Sequence, residues 1–377
     1  TFGATMDANV KQHLFIAHVR NYNSCLETAL DANNIPTDVY TALIKNVNDN
    51  LPTFYRYLKI KQQLLGVDTL KYTDLYTPVV KDLDIDYPIE TAQQMILSAL
   101  KPLGSDYLSV IERAFNERWI DIYPTPAKRS GAYSDGSIYD VHPYVLLNYC
   151  NKYDDVATLA HELGHTMHSY FSNKTQPFPL SDYSIFVAEV ASTFNEVLLF
   201  HDNLNKVTDP DQKLTLLMNY LDGIKGTVFR QTQFAEFELR MHEMAERGEQ
   251  LTGDSLTELY KQIVRMYYGH DKGICYVDDI INIEWAYIPH FYYNFYVYQY
   301  ATSFTAATAL AKKVLEGDES ARSNYLNFLS SGGSDYPINQ LKAAGVDMTT
   351  AEPFNLTMQE MNWVMDEIEK VLAEKKN

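Results

Sequence analysis

One run constrains this chain more than any other: Tyr153-Asp-Asp-Val-Ala-Thr-Leu-Ala-His-Glu-Leu-Gly-His-Thr-Met-His-Ser-Tyr170, which contains His161-Glu-Leu-Gly-His165. Its pattern has meaning only on a helix. Val156, Leu159, Ala160 and Leu163 recur at helical spacing, and no proline interrupts residues 156–171. Asp154 and Asp155 are the expected N-terminal caps, where the helix dipole favours negative charge. On such a helix, residues i and i+4 share a face about 6 Å apart along the axis. Two imidazoles so placed bind one Zn²⁺, and the glutamate between them, Glu162, is offset so that it can hold and deprotonate a water.

A catalytic zinc site takes three protein ligands and keeps one position open. The third ligand is therefore expected on another element. Ser184 to Phe200 reads as a second helix, in which Glu189 is a lone acid in an apolar setting. A carboxylate is costly to bury unless it is paired or binds a metal, so Glu189 is the expected third ligand. Glu196, two turns on and on nearly the same face, is the expected acceptor that orients a ligand imidazole. His168 is a tempting third imidazole. At i+7 from His161, however, it lies about 10 Å up the axis, out of reach of a metal bonded at ~2.1 Å, and it is read as support for the site or the core. Gly164 weakens a helix interior by about 1 kcal/mol, and close approach of another backbone, of substrate or of the second ligand helix, would explain it.

His161-Glu-Leu-Gly-His-Thr-Met-His-Ser, followed by Phe186-Val-Ala-Glu-Val-Ala-Ser, resembles the thimet oligopeptidase (M3) family of zinc metallopeptidases, most closely its oligoendopeptidase F branch. Ser130-Gly-Ala-Tyr-Ser, His142-Pro-Tyr-Val-Leu-Leu-Asn-Tyr, the block from Ile288 to Thr302 and Ser331-Gly-Gly-Ser-Asp-Tyr-Pro extend the likeness over essentially the whole chain. The resemblance implies a zinc-dependent endopeptidase that hydrolyses internal bonds of short peptides by metal-activated water. One Zn²⁺ per chain would be held by His161, His165 and Glu189, with Glu162 as the base. The implied fold is mainly α and zincin-type, with a small β-sheet edge beside the active-site helix and a deep substrate cleft. His290 and Tyr298 would face the metal across that cleft and stabilise the oxyanion. Gly131, Ala132, Tyr133, Tyr292, Tyr293 and Tyr296 would bind substrate. Tyr300, two residues past Tyr298 on one helix and so pointing about 200° away, is expected to be buried or structural. In the family, Arg often stands at the place of Tyr287 and Gly at that of Ser303, so the resemblance implies a different lining of the cleft here. Two alternatives stay open. A dipeptidyl carboxypeptidase would need a basic residue to capture the C-terminal carboxylate, and none is assigned. A non-catalytic peptide-binding protein on the same fold would have no use for Glu162.

Composition sets the remaining limits. The 377 residues suffice for one large domain or two, with 46% hydrophobic and 21% charged residues. The formal net charge of −18 argues against nucleic acid, whose phosphates need a basic surface. Three cysteines, Cys25, Cys150 and Cys275, with no C-x-x-C, suggest a reducing compartment, so a cytoplasmic protein is expected. No apolar run is long enough for a membrane span and no signal peptide opens the chain. There is no initiator Met, and family members carry a further N-terminal region, so a fragment is expected.

Residues 1–118 read as a helical scaffold region and 119–377 as the zinc-binding catalytic region. Amphipathic helices are expected over 8–31, 36–65 and 88–118, with breaks at Asn33–Pro36, Gly66–Asp68 and Asp84–Pro88. Ser130–Ser134 and Tyr144–Cys150 read as short strands of the only sheet, one edge of which an extended peptide could join. Further helices are expected over 209–222, 226–248, 253–269, 290–316 and 354–375. His142 is read as a structural or surface histidine, and His13, His18, His201, His242 and His270 have no partner at metal spacing.

Overall fold

The computed structural model describes residues 1–80 and 85–375, so the expected break at Asp84 begins outside the described residues. Each long N-terminal amphipathic run is cut once. The first becomes Phe2–Val19 and Cys25–Asp31, divided where Asn21 turns left-handed (φ 61°) and the Ser24 hydroxyl caps the next helix by accepting the Glu27 N–H. The second becomes Thr37–Asp49 and Leu51–Leu65, joined at Asn50, with Pro52 in a first turn that needs no intrahelical donor. The third becomes Ile89–Ala99 and Ser105–Asn116, with Gly104 at φ 87° in the gap. Apolar spacing persists through these bends because both halves still face a core, which is why the sequence alone reads each pair as one helix.

The chain forms two compact units. The first comprises Thr1–Lys81, Leu217–Thr302 and Thr349–Asn377, and the second Asp82–Leu216 and Ser303–Met348. A cut at residue 118 follows chain order, whereas the packing interleaves distant stretches. In the first unit Phe54 stacks on Phe229 at 4.4 Å and meets Tyr268 edge-on at 5.4 Å. Helices Gly253–Tyr267 and Glu352–Glu374 fall close to the expected spans. No break separates 222 from 226. Pro210–Ile224 passes through a π-helical turn, Lys225–Phe229, into Arg230–Glu246.

The expected helix over 290–316 starts only at Tyr298 and runs to Leu315. Before it, Pro289–Tyr292 makes one short 3-10 turn, and Asn294 and Phe295 are both left-handed, with φ of 52° and 58°. Two short helices flanking Ser331-Gly-Gly-Ser, Glu319–Leu329 and Pro337–Ala343, were not anticipated.

The second unit holds a three-stranded sheet: β1 (Ile120–Asp121), β2 (Tyr133–Asp135) and β3 (Tyr144–Leu146), in the order β1-β3-β2. β1 lies parallel to β3, and β2 antiparallel to it with Ser134 opposite Val145. Val145, Leu147 and Tyr149 are buried, the period-2 alternation of a one-sided strand. β2 is an edge strand of this sheet. The fold is mainly α with this small sheet, and among the described residues no helix is long and apolar enough to cross a membrane.

Candidate active site

The first ligand helix, Tyr153–Thr175, is capped at Lys152 and so begins two residues earlier than a cap at Asp154 would place it. Asp155 sits inside the first turn and reaches back, its Oδ2 accepting the N–H groups of Cys150 and Lys152, each at 2.9 Å. Val156, Leu159, Ala160, Leu163 and Met167 are buried, which leaves His161 and His165 on a half-buried face. The second ligand helix, Ile185–Lys206, carries Glu189 and Glu196.

Gly164 explains how the two helices come together. A Cβ built there would lie 2.4 Å from the carbonyl oxygen of Ala191 and 2.5 Å from Cα of Ser192. Any side chain would push the second helix away. Hydrogen bonds hold the crossing in register: Asn195 Nδ2 donates to the Ala160 carbonyl at 3.1 Å, and the Tyr107 hydroxyl donates to Asn195 Oδ1 at 3.1 Å. The sheet is tied to the same helix through Ser134 and Thr166, whose hydroxyls are 2.9 Å apart.

The structure brings His161, His165 and Glu189 together as a group able to hold a metal ion. His161 Nε2 lies 3.2 Å from His165 Nε2, and Glu189 Oε2 lies 3.3 Å and 3.5 Å from the two. Ligand atoms ~2.1 Å from a tetrahedral zinc are about 3.4 Å from one another, so the donor set fits. Glu196 Oε1 accepts the Nδ1–H of His161 at 2.6 Å, which fixes the tautomer and aims Nε2 into the cluster. Burial works against charge on His161, but the carboxylates of Glu189 and Glu196 outweigh it and push the imidazole up to about 10. Burial would raise Glu189, yet hydrogen bonds from His161 and His165 hold it well below the usual carboxylate range. The cluster is thus built to concentrate negative charge around nitrogen donors.

Glu162 is 6% exposed, and its Oε2 has no hydrogen-bond partner. Burial raises its carboxyl above the ordinary value, with the two ligand imidazoles pulling the other way. His168 stands apart from the cluster. It is buried, stacks on Tyr183 with ring centroids 3.6 Å apart, and burial lowers it to about 3.

Among the expected substrate-binding residues, Gly131 and Ala132 line a pocket of about 230 Å³ with Leu147, Asn148, Tyr149, Asp155 and Thr158. Tyr133 is exposed on β2. His142 stacks on Trp119 at 4.5 Å and its Nδ1 donates to the Pro143 carbonyl at 2.8 Å, a structural arrangement.

The aromatic segment of the first unit departs from expectation. Tyr298 is 2% exposed and packs on Tyr40 with centroids 4.9 Å apart, and burial drives its hydroxyl far above the usual range. Tyr300 is the half-buried one. Its ring lies 5.5 Å from Tyr296 and 6.3 Å from His290, and Tyr296 lies 6.1 Å from His290. Tyr292 is half-buried and Tyr293 exposed beside His290. The environments expected for Tyr298 and Tyr300 are therefore exchanged, because the helix starts at Tyr298 and the left-handed turn before it sets its rotation. Of the two departures noted from the sequence, Tyr287 is 85% exposed, whereas Ser303 is buried and donates to the Phe186 carbonyl at 3.0 Å. Ser192 was overlooked. It lies one turn after Glu189 and donates to Glu189 Oε2 at 3.0 Å, a serine at i+3 being the available signal.

Residues 2–360 match peptidase family M3. Oligopeptidase PepF of Bacillus subtilis (strain 168) is 44% identical over 376 residues, covering 100% of this chain and 56% of that protein. The crystal structure of oligoendopeptidase-F from Enterococcus faecium superposes with a TM-score of 0.78 at 39% identity, covering 99% of this chain and 60% of that one. A solved structure from Chlamydophila abortus gives a TM-score of 0.92 at 44% identity, covering 98% of this chain and 62% of that one. The chain spans less than two thirds of the length of each of these relatives. With the match running over nearly its whole length, and the paired imidazoles and the second-helix carboxylate converging as described, the chain belongs to peptidase family M3.

Proposed function

We propose that this chain carries the catalytic centre of a zinc-dependent oligoendopeptidase that hydrolyses internal bonds of short peptides. One observation carries the reading. Three donor atoms lie 3.2 to 3.5 Å apart, and a buried carboxylate with a free oxygen sits between the two imidazoles in sequence. A zinc ion held by His161, His165 and Glu189 would supply Lewis acidity to water and to a peptide carbonyl. Glu162 takes the proton of the attacking water and passes it to the leaving amine, a task suited to a carboxyl whose burial raises its affinity for protons. Glu196 keeps His161 in the tautomer whose Nε2 carries the lone pair a metal would take. The edge position of β2 in the sheet suits backbone pairing with an extended peptide.

From the aromatic segment, the proposed donors to the carbonyl oxygen as it gains charge are His290 with Tyr296 and Tyr300. The proposal rests on the resemblance and on the accessibility of these three, and it sets Tyr298 aside as a packing residue. The printed names of relatives, oligopeptidase and oligoendopeptidase F, support short peptides as substrates. The free thiols of Cys25, Cys150 and Cys275 support a reducing compartment, the cytoplasm.

The test is product mapping by mass spectrometry on a peptide mixture, for the wild type and Glu162→Gln in parallel. Internal cleavage by the wild type, lost by several orders of magnitude in a Glu162→Gln protein that keeps its zinc, is the expected result. Release of C-terminal dipeptides alone would indicate a dipeptidyl carboxypeptidase, and no cleavage by either protein would indicate a binding protein.

A further inference from the structure

The first unit contains a buried carboxyl that no step above uses. Glu238 lies on Arg230–Glu246, and its side chain is 0% exposed. Its Oε1 accepts the backbone N–H of Phe295 at 2.6 Å, and its Oε2 is buried without a hydrogen-bond partner. A carboxyl is expensive to bury, so its single bond invites the question of what that bond holds.

It holds one of two consecutive left-handed residues. Asn294 and Phe295 have φ of 52° and 58°, a conformation disfavoured for residues with a Cβ and found where the surroundings impose it. The surroundings here act on Phe295 from three directions. Glu238 takes its N–H. The His242 ring packs on its ring with centroids 4.4 Å apart, and Tyr40 meets it edge-on at 5.5 Å. Both clamps are themselves anchored. His242 Nδ1 donates to the Glu238 carbonyl at 2.8 Å, which leaves its Nε2 to accept from Nδ1 of His13 at 3.1 Å, and the Tyr40 hydroxyl donates to the Ala235 carbonyl at 2.7 Å.

The turn decides where the accessible aromatics go. It separates the Pro289–Tyr292 turn, which carries His290, from the helix that begins at Tyr298 and carries Tyr300. With the turn left-handed, His290, Tyr296 and Tyr300 converge to within 6.3 Å of one another, centroid to centroid. An ordinary extended or helical pair at 294–295 would re-aim everything after it.

We propose that Glu238 is a positioning residue for the His290–Tyr296–Tyr300 cluster, fixing the Asn294–Phe295 turn through the Phe295 N–H. The proposal rests on the reading that this cluster donates to substrate. Burial pushes the Glu238 carboxyl up to about 8, with only the Phe295 amide favouring its charged form, so burial favours the uncharged acid. Glutamine is then its near-isostere, with an oxygen in the same place, whereas leucine keeps the bulk and removes the acceptor.

The experiment compares wild type, Glu238→Gln, Glu238→Leu and Tyr300→Phe in the intact protein. It reads kcat and KM on one peptide and residue-resolved hydrogen exchange at the Phe295 amide. In the wild type that amide should exchange at least 10³-fold more slowly than an open one. Glu238→Gln should keep both the protection and the turnover. Glu238→Leu should lose most of the protection and lower kcat 10-fold or more, with zinc content unchanged and KM altered less than 3-fold. Should Glu238→Leu fail to fold, the wild-type exchange rate and the Glu238→Gln variant still decide. Rapid exchange of the wild-type Phe295 amide, or a Glu238→Gln protein as slow as Glu238→Leu, overturns the proposal. So does a folded Glu238→Leu protein with wild-type kcat while Tyr300→Phe is slow. If Tyr300→Phe instead turns over normally, the reading of the cluster fails, and the exchange data alone decide whether Glu238 holds the turn.

Discussion

The two regions that carry the proposed chemistry are built in opposite ways. The group able to hold a metal ion sits on two uninterrupted helices, Tyr153–Thr175 and Ile185–Lys206, and its geometry follows from residue spacing. The aromatic segment from His290 to Tyr300 is a short turn, two left-handed residues and the first residues of a helix. A regular helix converts sequence separation directly into direction. A left-handed pair does not, because its rotation is set by what packs against it, here Glu238, His242 and Tyr40. The difference teaches where spacing alone can assign side chains to a site and where it cannot.

The sharpest way to break the comparison acts on the helical half. His161→Ala removes a donor that helical spacing places in the cluster, whereas His168→Ala removes an imidazole that the same spacing places outside it. The first should abolish stoichiometric zinc and lower turnover by several orders of magnitude. The second should retain most of the metal, since the His168 ring is stacked on Tyr183. Zinc analysis of the purified proteins checks this, and a full equivalent of zinc in the His161→Ala protein refutes the ligand set.

The next largest effect probes the irregular half. Tyr300→Phe deletes one hydroxyl from a half-buried side chain and should lower kcat by about 10²–10³ with little change in KM, the mark of a donor that acts only in the transition state. Tyr298→Phe should leave kcat within a few-fold and act on stability, because that residue is buried against Tyr40. Steady-state kinetics and thermal melts on both variants separate the two. If Tyr298→Phe is the slow one, the cluster is centred elsewhere than its accessible face.

Much of the second unit was legible before any coordinates. An apolar stripe with His161 and His165 opposite it, and one acid in an otherwise apolar helix, required only that two helices cross. Even the crossing left a trace in Gly164, whose cost in a helix makes sense only against a neighbouring backbone. What could not be read were the interruptions. Asn50 and Asn21 bend helices whose apolar faces continue, so periodicity runs straight over them. Asn294 and Phe295 look in sequence like part of one aromatic helix, and their handedness depends on Glu238, more than fifty residues earlier. The interleaved units were hidden for the same reason, since chain order says nothing about which distant stretches share a core.

The smallest effect tests whether the legible half depends on close packing as its glycine implies, by setting Gly164 against a glycine with no such duty. Gly223 also lies in a helix, Pro210–Ile224, but a Cβ there would meet nothing within 4 Å. At Gly223, alanine removes backbone freedom from the unfolded chain and gains helix propensity, so Gly223→Ala should stabilise by about 0.5–1 kcal/mol. At Gly164, the same methyl would sit 2.4 Å from the Ala191 carbonyl oxygen, a backbone atom with no rotamer to escape into. The second ligand helix must shift, and Gly164→Ala should destabilise by about 1–3 kcal/mol, the usual cost of overpacking. The shift also carries Glu189, so zinc affinity should fall with stability even though no ligand is altered. Urea denaturation of both variants, with and without added zinc, measures the two effects together. A Gly164→Ala protein as stable as Gly223→Ala, binding zinc as tightly as wild type, would mean that the crossing tolerates slack and that the glycine is there for another reason.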